Sequence, residues 1–191
     1  MSFPDIDSTL VTVGAPVEGG CCWTNFSDSP TFPTSATTTL GTGWESLGDL
    51  SENGYTEQKQ ATAQDFKGWH GSVVLSVLDE EKYLYKLEFI EVNRGAVAKV
   101  RHGVGNVQVD SDGNPIQISG KPGQNKPIPL VVDELESNGW LRRTVIKKAM
   151  INSFDDVPHQ KGSLMVYGMT FTAIEVDGSA FETYRAQPAS A

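Results

Sequence analysis

Apolar and polar positions alternate most regularly over residues 82–90, in the run KYLYKLEFI. A period of two is typical of a β-strand with one buried face. The face that we expect to be buried comprises Tyr83, Tyr85, Leu87 and Phe89. The preceding run, SVVLSVL from Ser72, is apolar and β-branched, so we predict a second core strand there. Residues 79–81, Asp-Glu-Glu, then form a tight connection between the two strands.

The C-terminal half has two further β patterns. VQVDSDGNPIQIS, from Val107, predicts strand, turn and strand. A longer run over residues 164–174 is apolar on both faces, so we expect partner chains to cover it together with the chain itself. One face of that strand contains Met165, Tyr167, Met169 and Phe171. WLRRTVIKKAMI, from Trp140, fits a helix by spacing and a strand by its β-branched residues, and stays ambiguous.

One short helix is expected in NRGAVAKVRHG. Asn93 is a favourable N-cap residue, and Gly103 can end the helix in a left-handed conformation. Val97 and Val100 then face inward, three residues apart. The pattern as a whole predicts a mainly β fold, a sandwich or small barrel with one short flanking helix and long loops.

The 191 residues are enough for a single domain, which we divide into four segments. Residues 1–43 are rich in Ser, Thr, Gly and Pro and are predicted to be an N-terminal arm. Residues 44–71 are polar, with a turn signal at Asn53-Gly54, and are predicted to be a long loop. Residues 72–176 form the β core, and residues 177–191 form a C-terminal arm.

Charge and composition narrow the functional classes to which the protein can belong. The net charge is −9, from 24 acidic against 15 basic residues, which disfavours a protein that grips nucleic acid phosphates. No apolar run approaches the roughly 20 residues of a membrane span, so no membrane partner is expected. The N-terminus has no secretory pattern, and the protein is expected in a cytoplasm. Cys21 and Cys22 are adjacent and indicate neither a disulfide framework nor a zinc site.

No arrangement of residues predicts catalysis. His70, His102 and His159 lack metal-ligand spacing, and no serine or cysteine stands in an activating motif. DSDGNP, from Asp110, superficially suggests a calcium loop, but Pro115 stands where that loop needs Gly. We therefore expect no enzyme, no catalytic residue, no metal and no cofactor.

The segment LGDLSENGYTEQKQATAQDFKGWHGSVV, from Leu47, resembles the major tail proteins of long-tailed, non-contractile bacteriophages. YLYKLEFIEVNRGAVAKVRHG is similar to that family's strand, capping Asn and short helix. RRTVIKKAMINSFDDVPHQKGSLMVYGMTFTAIEVDGSAFETY is similar to its closing strands. The resemblance covers most of residues 40–185 and rests on the order and spacing of these motifs.

The resemblance implies a structural virion protein with a tail-tube-type β-sandwich or barrel. Its subunits would form six-membered rings that stack into a hollow tube through which DNA passes without tight binding. The implied partners are other copies of the chain, a tape measure protein, and tail terminator and initiator proteins. The implied location is the virion tail, after assembly in the host cytoplasm. On this interpretation residues 44–71 are an assembly loop, and its expected interface residues are Leu47, Leu50, Glu52, Tyr55, Asp65, Phe66 and Trp69.

Two other classes remain open at this level. A β-sandwich binding module, such as a capsid decoration or glycan-binding domain, would use exposed Trp and Tyr residues to stack on sugars. A hydrolase on a β scaffold would need a carboxylate pair, and no pair is singled out by spacing.

Overall fold

The computed structural model describes residues 11–17, 20–123 and 125–187. The predicted mainly β class is confirmed, with 52% of residues in strands and 6% in helices. The described strands form one nine-stranded antiparallel sheet and a separate two-stranded ribbon. No helix among the described residues is long and apolar enough to cross a bilayer. The first ten residues of the predicted N-terminal arm lie outside the described part of the chain.

The elements follow one another along the chain with the helix near the middle. They are β1 Gly14–Pro16, β2 Cys22–Asn25, β3 Trp44–Gly48, β4 Leu50–Lys67, β5 Val73–Phe89, α1 Gly95–His102, β6 Val107–Val109, β7 Pro115–Ile118, β8 Ile128–Glu136, β9 Leu141–Phe154, β10 Tyr167–Ala173 and β11 Glu182–Ala186. A 3₁₀ turn at Val104–Asn106 joins α1 to β6. The large sheet has the order β3-β2-β8-β9-β10-β5-β4, with β1 added to β8 and β11 to β9.

The large sheet is strongly curled. Three strands separate β4 from β8 in the sheet, yet the Tyr55 hydroxyl on β4 donates to the Glu134 carboxylate on β8 at 2.7 Å. Sheet twist and curvature bring the two together across the concave face. The two ends of the sheet do not pair, so the barrel alternative in the prediction is not realised.

The core fills this concave face. It includes all four residues of the predicted buried face of β5, although Tyr83 is only partly buried. Val97 and Val100 of α1 pack into the same cluster, as their spacing predicts. The fully buried side chains with the largest volumes include Tyr85, Phe89, Phe171, Leu47, Leu87, Leu130, Ile146 and Met169.

The convex face over β8 and β9 is covered by the segment that follows β2. Val131 and Val145, which pair across these strands, are buried on that face. Arg143 beside them bonds Asp133 at 2.6 Å and donates to the Ser35 carbonyl at 3.3 Å. Residues 26–43, predicted to belong to an arm, therefore pack on their own domain because the sheet needs a cover on both faces.

The start of α1 differs from the prediction. The helix begins at Gly95 with Arg94 as its N-cap residue, and no side chain caps it, so Asn93 does not have the predicted role. The carbonyl of Gly113, in the β6–β7 turn, accepts the Gly95 N–H at 3.0 Å and takes the place of a cap. Gly103 ends the helix with a φ of 89°, in the positive region that glycine allows.

Three further predictions are corrected by the strand boundaries. Residues 44–71 are not a loop, because β3 and the whole of β4 lie there. Asn53-Gly54 does not reverse the chain; it lies at a register shift within β4, where Gly54 has a φ of 64°. Residues 79–81 continue β5 rather than connect two strands, and the ambiguous run after Trp140 is the strand β9.

We expect Phe171→Ala to lower the free energy of unfolding by about 3–5 kcal/mol, because it leaves a cavity in the core. Leu75→Ala is the matched control: Leu75 is 55% exposed, and its loss should change stability by less than about 0.5 kcal/mol. Urea unfolding of both variants measures the difference. Equal losses would contradict the contrast between the buried core around β10 and the exposed outer half of β5.

Candidate assembly interface

The hairpin of β4 and β5 extends past the end of the sheet. Going from Phe89 towards the start of β5, pairing with β10 ends at Tyr83, which lies opposite Ala173. Pairing between β4 and β5 continues beyond this point, as far as Lys67 and Val73. We call residues 61–81 the arm. At the usual rise per residue in a strand, the arm projects about 25 Å beyond the sheet.

The arm is exposed along its whole length. Every residue from 61 to 81 is exposed except Gly68, which is half-buried. Its exposed apolar side chains are Phe66, Trp69, Val73, Val74, Leu75, Val77 and Leu78. Single exposed apolar residues are common on protein surfaces, but a contiguous patch of this kind marks an interaction site.

Both faces of the arm carry apolar side chains. Leu75 pairs with Phe66 on one face, and Leu78 pairs with Ala63 on the other. Paired residues of antiparallel strands project to the same side of the sheet. Neither face is covered by the described part of the chain, so a partner surface would remove these side chains from water.

Both edges of the arm are open, because β4 is the terminal strand of the sheet and pairs only with β5 among the described strands. Residues 73–81 pair with β4 on one side, and no described strand pairs with them on the other. An open strand edge presents a row of unpaired backbone N–H and C=O groups, which can accept a strand from another chain. The open edge of residues 73–81 is longer than the open edges of β1 and β11.

The tip and the base of the arm differ in charge. Gly68 and Gly71 form the tight turn, in which the Gly71 N–H donates to the Gly68 carbonyl at 2.8 Å. Lys67 and His70 lie at this tip beside Trp69, which is 100% exposed. The base carries the acidic residues 79–81.

The part of β4 that leads into the arm is fixed to the body of the sheet. Tyr55 bonds Glu134 as described above, and Glu57 forms an ion pair with Arg142 on β9 at 3.8 Å. Burial, and then the hydrogen bond to Glu134, raise the pKa of Tyr55 well above its ordinary value. Tyr55 therefore remains a neutral hydrogen-bond donor, and the arm leaves the sheet in a defined direction.

The structure divides the expected interface residues of 44–71 into two groups. Leu47 and Leu50 are buried in the chain's own core, so they are not available to a partner, contrary to the prediction. Tyr55 anchors the arm, and Glu52 is exposed near the start of β4. Only Asp65, Phe66 and Trp69 lie on the arm itself.

The strand proposed to be shared with partner chains is a central strand. β10 lies between β9 and β5, so both of its edges are occupied. Met169 and Phe171 are fully buried in the chain's own core, and Tyr167 is partly buried. Met165 precedes the strand and is also partly buried. The expectation of partner contacts along this strand is therefore wrong for Met169 and Phe171.

The apolar residues that are exposed on the arm were not predicted to be exposed. Val73, Val74, Leu75, Val77 and Leu78 were expected in the core because they form an apolar, β-branched run. The acids that follow directly at 79–81 and the turn at 68–72 are signals of an exposed hairpin. Together they could have identified the arm.

A second group of exposed apolar residues lies at the opposite end of the sheet. Phe89 pairs with Tyr167, and Met169 with Phe154, at the end farthest from the arm. The exposed apolar residues at this end, on the ribbon and around the end of β9, are Val104, Ile116, Ile118, Phe154 and Leu164.

Metal-binding groupings are not found in the part of the chain that the structure describes. No cluster of three or more His, Cys, Asp or Glu residues there has the geometry to hold a metal ion. Burial, and then the nearby Asp49 carboxylate, raise the pKa of the Cys21 thiol to about 11. Cys21 is thus protonated at neutral pH and is a poor nucleophile.

No protein-family model matches this sequence, and no curated protein is significantly similar to it. Function is therefore inferred from the arm, from its charges and from the surface at the other end of the sheet.

We expect Tyr55→Phe to lower the free energy of unfolding by about 1–2 kcal/mol, because it leaves the partly buried Glu134 carboxylate without this donor. The Tyr83 hydroxyl makes a comparable bond to Glu81, but on the surface. Tyr83→Phe should therefore cost less than about 0.5 kcal/mol. Urea unfolding compares the two variants, and equal costs would show that Tyr55 does not anchor the arm.

Proposed function

We propose that this chain is a tail tube protein of a long-tailed, non-contractile bacteriophage. Six-membered rings of the subunit would stack into the hollow tube through which the genome is delivered. The resemblance described above suggests this function, and the arm is the observation that carries it. A soluble single-chain binding protein or enzyme has no evident use for a rigid, two-faced apolar hairpin that it cannot cover itself.

The arm supplies a driving force for assembly. Complete burial of a Val, Leu or Phe side chain is worth about 1.5–3 kcal/mol, and the arm has six such residues besides Trp69. The fixed base means that little further ordering of the arm is needed on contact, which lowers the entropic cost of association. Self-association through the arm is therefore favourable once partner surfaces are available.

The two ends of the molecule are different, which favours a polar stack. The arm lies at one end of the sheet, and the exposed apolar residues of the ribbon and of the end of β9 lie at the other. A contact between unlike surfaces is heterologous, and its repetition generates a ring or an open filament. Stacked rings that all point in one direction are an assembly of this kind.

The charge fits a conduit for DNA. The net charge of −9 disfavours tight binding of a polyanion, so DNA would move past such a surface without being held. The same function implies a tape measure protein and terminator and initiator proteins as partners. It places the assembled protein in the virion tail and the free subunit in the host cytoplasm.

A second candidate is a binding module for glycans or for a capsid surface. The observation in its favour is Trp69, fully exposed at the tip and able to stack on a sugar ring. The aliphatic run on β5 is unsuited to a sugar and favours a protein partner. Glycan binding by a protein that stays monomeric at every concentration would favour this candidate.

Removal of the arm tests the proposal. Ala61 and Glu81 pair directly, so residues 62–80 can be replaced by an Asn-Gly turn that closes the shortened hairpin. We expect a folded monomer that forms neither rings nor tubes, whereas the full chain forms them. Negative-stain electron microscopy and light-scattering mass on concentrated samples measure both.

A second variant keeps the length of the arm. Leu75→Thr, Val77→Thr and Leu78→Thr together preserve β propensity and remove apolar surface. This variant should also fail to assemble, and circular dichroism should show that both variants are folded. Normal tubes from either folded variant would overturn the proposed role of the arm.

A further inference from the structure

We propose that the arm of one copy docks along the β6–β7 ribbon of a second copy. The basic tip of the arm lies at the acidic turn of the ribbon, and the acidic base of the arm lies at the basic end of the ribbon. The inference rests on the proposed self-assembly and names the surface that receives the arm.

The ribbon presents an exposed apolar strip of the right kind. Ile116 is 66% exposed and Ile118 is 42% exposed, and both lie on one face of β7. Gln117 between them is also exposed. The ribbon is held against α1 through the bond from the Gly95 N–H to the Gly113 carbonyl. It is therefore a fixed surface rather than a free loop.

The ribbon has an acidic end and a basic end. Its turn contains Asp110 and Asp112, and the Asp110 carboxylate is held by the backbone N–H groups of Asp112 and Asn114. Its other end borders a pocket of about 400 Å³. The cationic residues that line this pocket are Arg101 and Lys121, while burial, and then Arg101, lower the pKa of His102 there. One guanidinium nitrogen of Arg101, Nη1, is buried there without a hydrogen-bond partner.

The arm has the opposite order of charge. Lys67 lies at the tip beside His70, with Asp65 two positions before it on β4, and the uncharged residues 71–78 lead along β5 to Asp79. Asp79 makes no ion pair within the described part of the chain, whereas Glu80 and Glu81 pair with nearby lysines. Charge complementarity between surfaces of this kind selects the partner and fixes the register.

The spacing of the charges agrees as well. Nine positions separate His70 from Asp79 on the arm, and nine separate Asp112 from Lys121 on the ribbon. Strand covers residues 73–79 of the arm and Pro115–Ile118 of the ribbon, so the agreement is one of sequence spacing. The alignment that sets His70 beside Asp112 and Asp79 beside Lys121 places Val74 beside Ile116 and Ser76 beside Ile118.

Backbone pairing can accompany this contact. β7 pairs only with β6 among the described strands, so its outer edge is open, as is the edge of residues 73–81. In the proposed alignment β5 runs from tip to base while β7 runs from turn to basic end, so the two are parallel. Pro115 lacks an N–H, and pairing would thus start at Ile116.

The arm that docks on the ribbon must come from another copy of the chain, because the arm and the ribbon of one chain lie at opposite ends of its sheet. Other open edges fit the arm less well. β1 has three residues and includes Pro16, which cannot donate a hydrogen bond. β3 has five residues, and Glu45 there is already paired with Lys99 at 3.3 Å.

Cross-linking tests the contact directly. Val74→Cys and Ile116→Cys, made in separate chains, are mixed under mild oxidation; the native Cys21 and Cys22 are buried. We expect a covalent dimer in this mixture at least about tenfold above that from Val74→Cys mixed with Leu135→Cys, since a disulfide needs two close Cβ atoms. Leu135 is 40% exposed and lies outside the ribbon. Equal yields, or no dimer in either mixture, would overturn the proposal.

A charge exchange provides the second test. Asp79→Lys and Lys121→Asp should each raise the concentration needed for association about tenfold, and the double variant should return to within about threefold of the natural chain. No rescue in the double variant would contradict the alignment. Tubes that form without the cross-link would overturn this contact and leave the tube function standing. The cross-link without tubes would support the contact and count against the tube.

Discussion

One strand, β5, is longer than the sheet to which it belongs, and the rest of the molecule's behaviour depends on this. Between Tyr83 and Phe89 it has neighbours on both sides and its inward face is buried. Beyond Tyr83 it has β4 alone, and its apolar residues meet water on both faces. An isolated hairpin is marginally stable by itself, so the buried half of the strand must hold the exposed half in place.

The part of β4 that leads into the arm shows how the buried half supports the exposed half. Tyr55 and Glu57 contact β8 and β9 across the curl of the sheet, so the direction of the arm is tied to the same packing that forms the core. A register shift between Thr62 and Ala63 marks the point where the arm leaves the body. Shifts of this type increase the local twist of the strand pair.

The sequence predicted the parts of the fold that depend on local chemistry. Alternation located the inward face of β5, the turn residues located β6 and β7, and helix spacing located Val97 and Val100. Prediction from the sequence failed where one local pattern is compatible with two different structures. An apolar run such as Val73 to Leu78 is equally suited to a chain's own core and to a partner. Likewise, the positive φ of Gly54 serves a turn or a shift within a strand, and only the pairing partner decides.

The acidic balance and the apolar arm oppose one another, and this opposition is useful in a protein that must stay free until it assembles. Like charges keep free subunits apart, while the arm attracts only at short range once it meets a surface of complementary order. Because the arm and the surface we assign to it lie at opposite ends, each added copy presents a new arm. Growth by such contacts has no internal stopping point, so the length of the assembly must be set by other molecules, as the proposed tape measure and terminator partners would do.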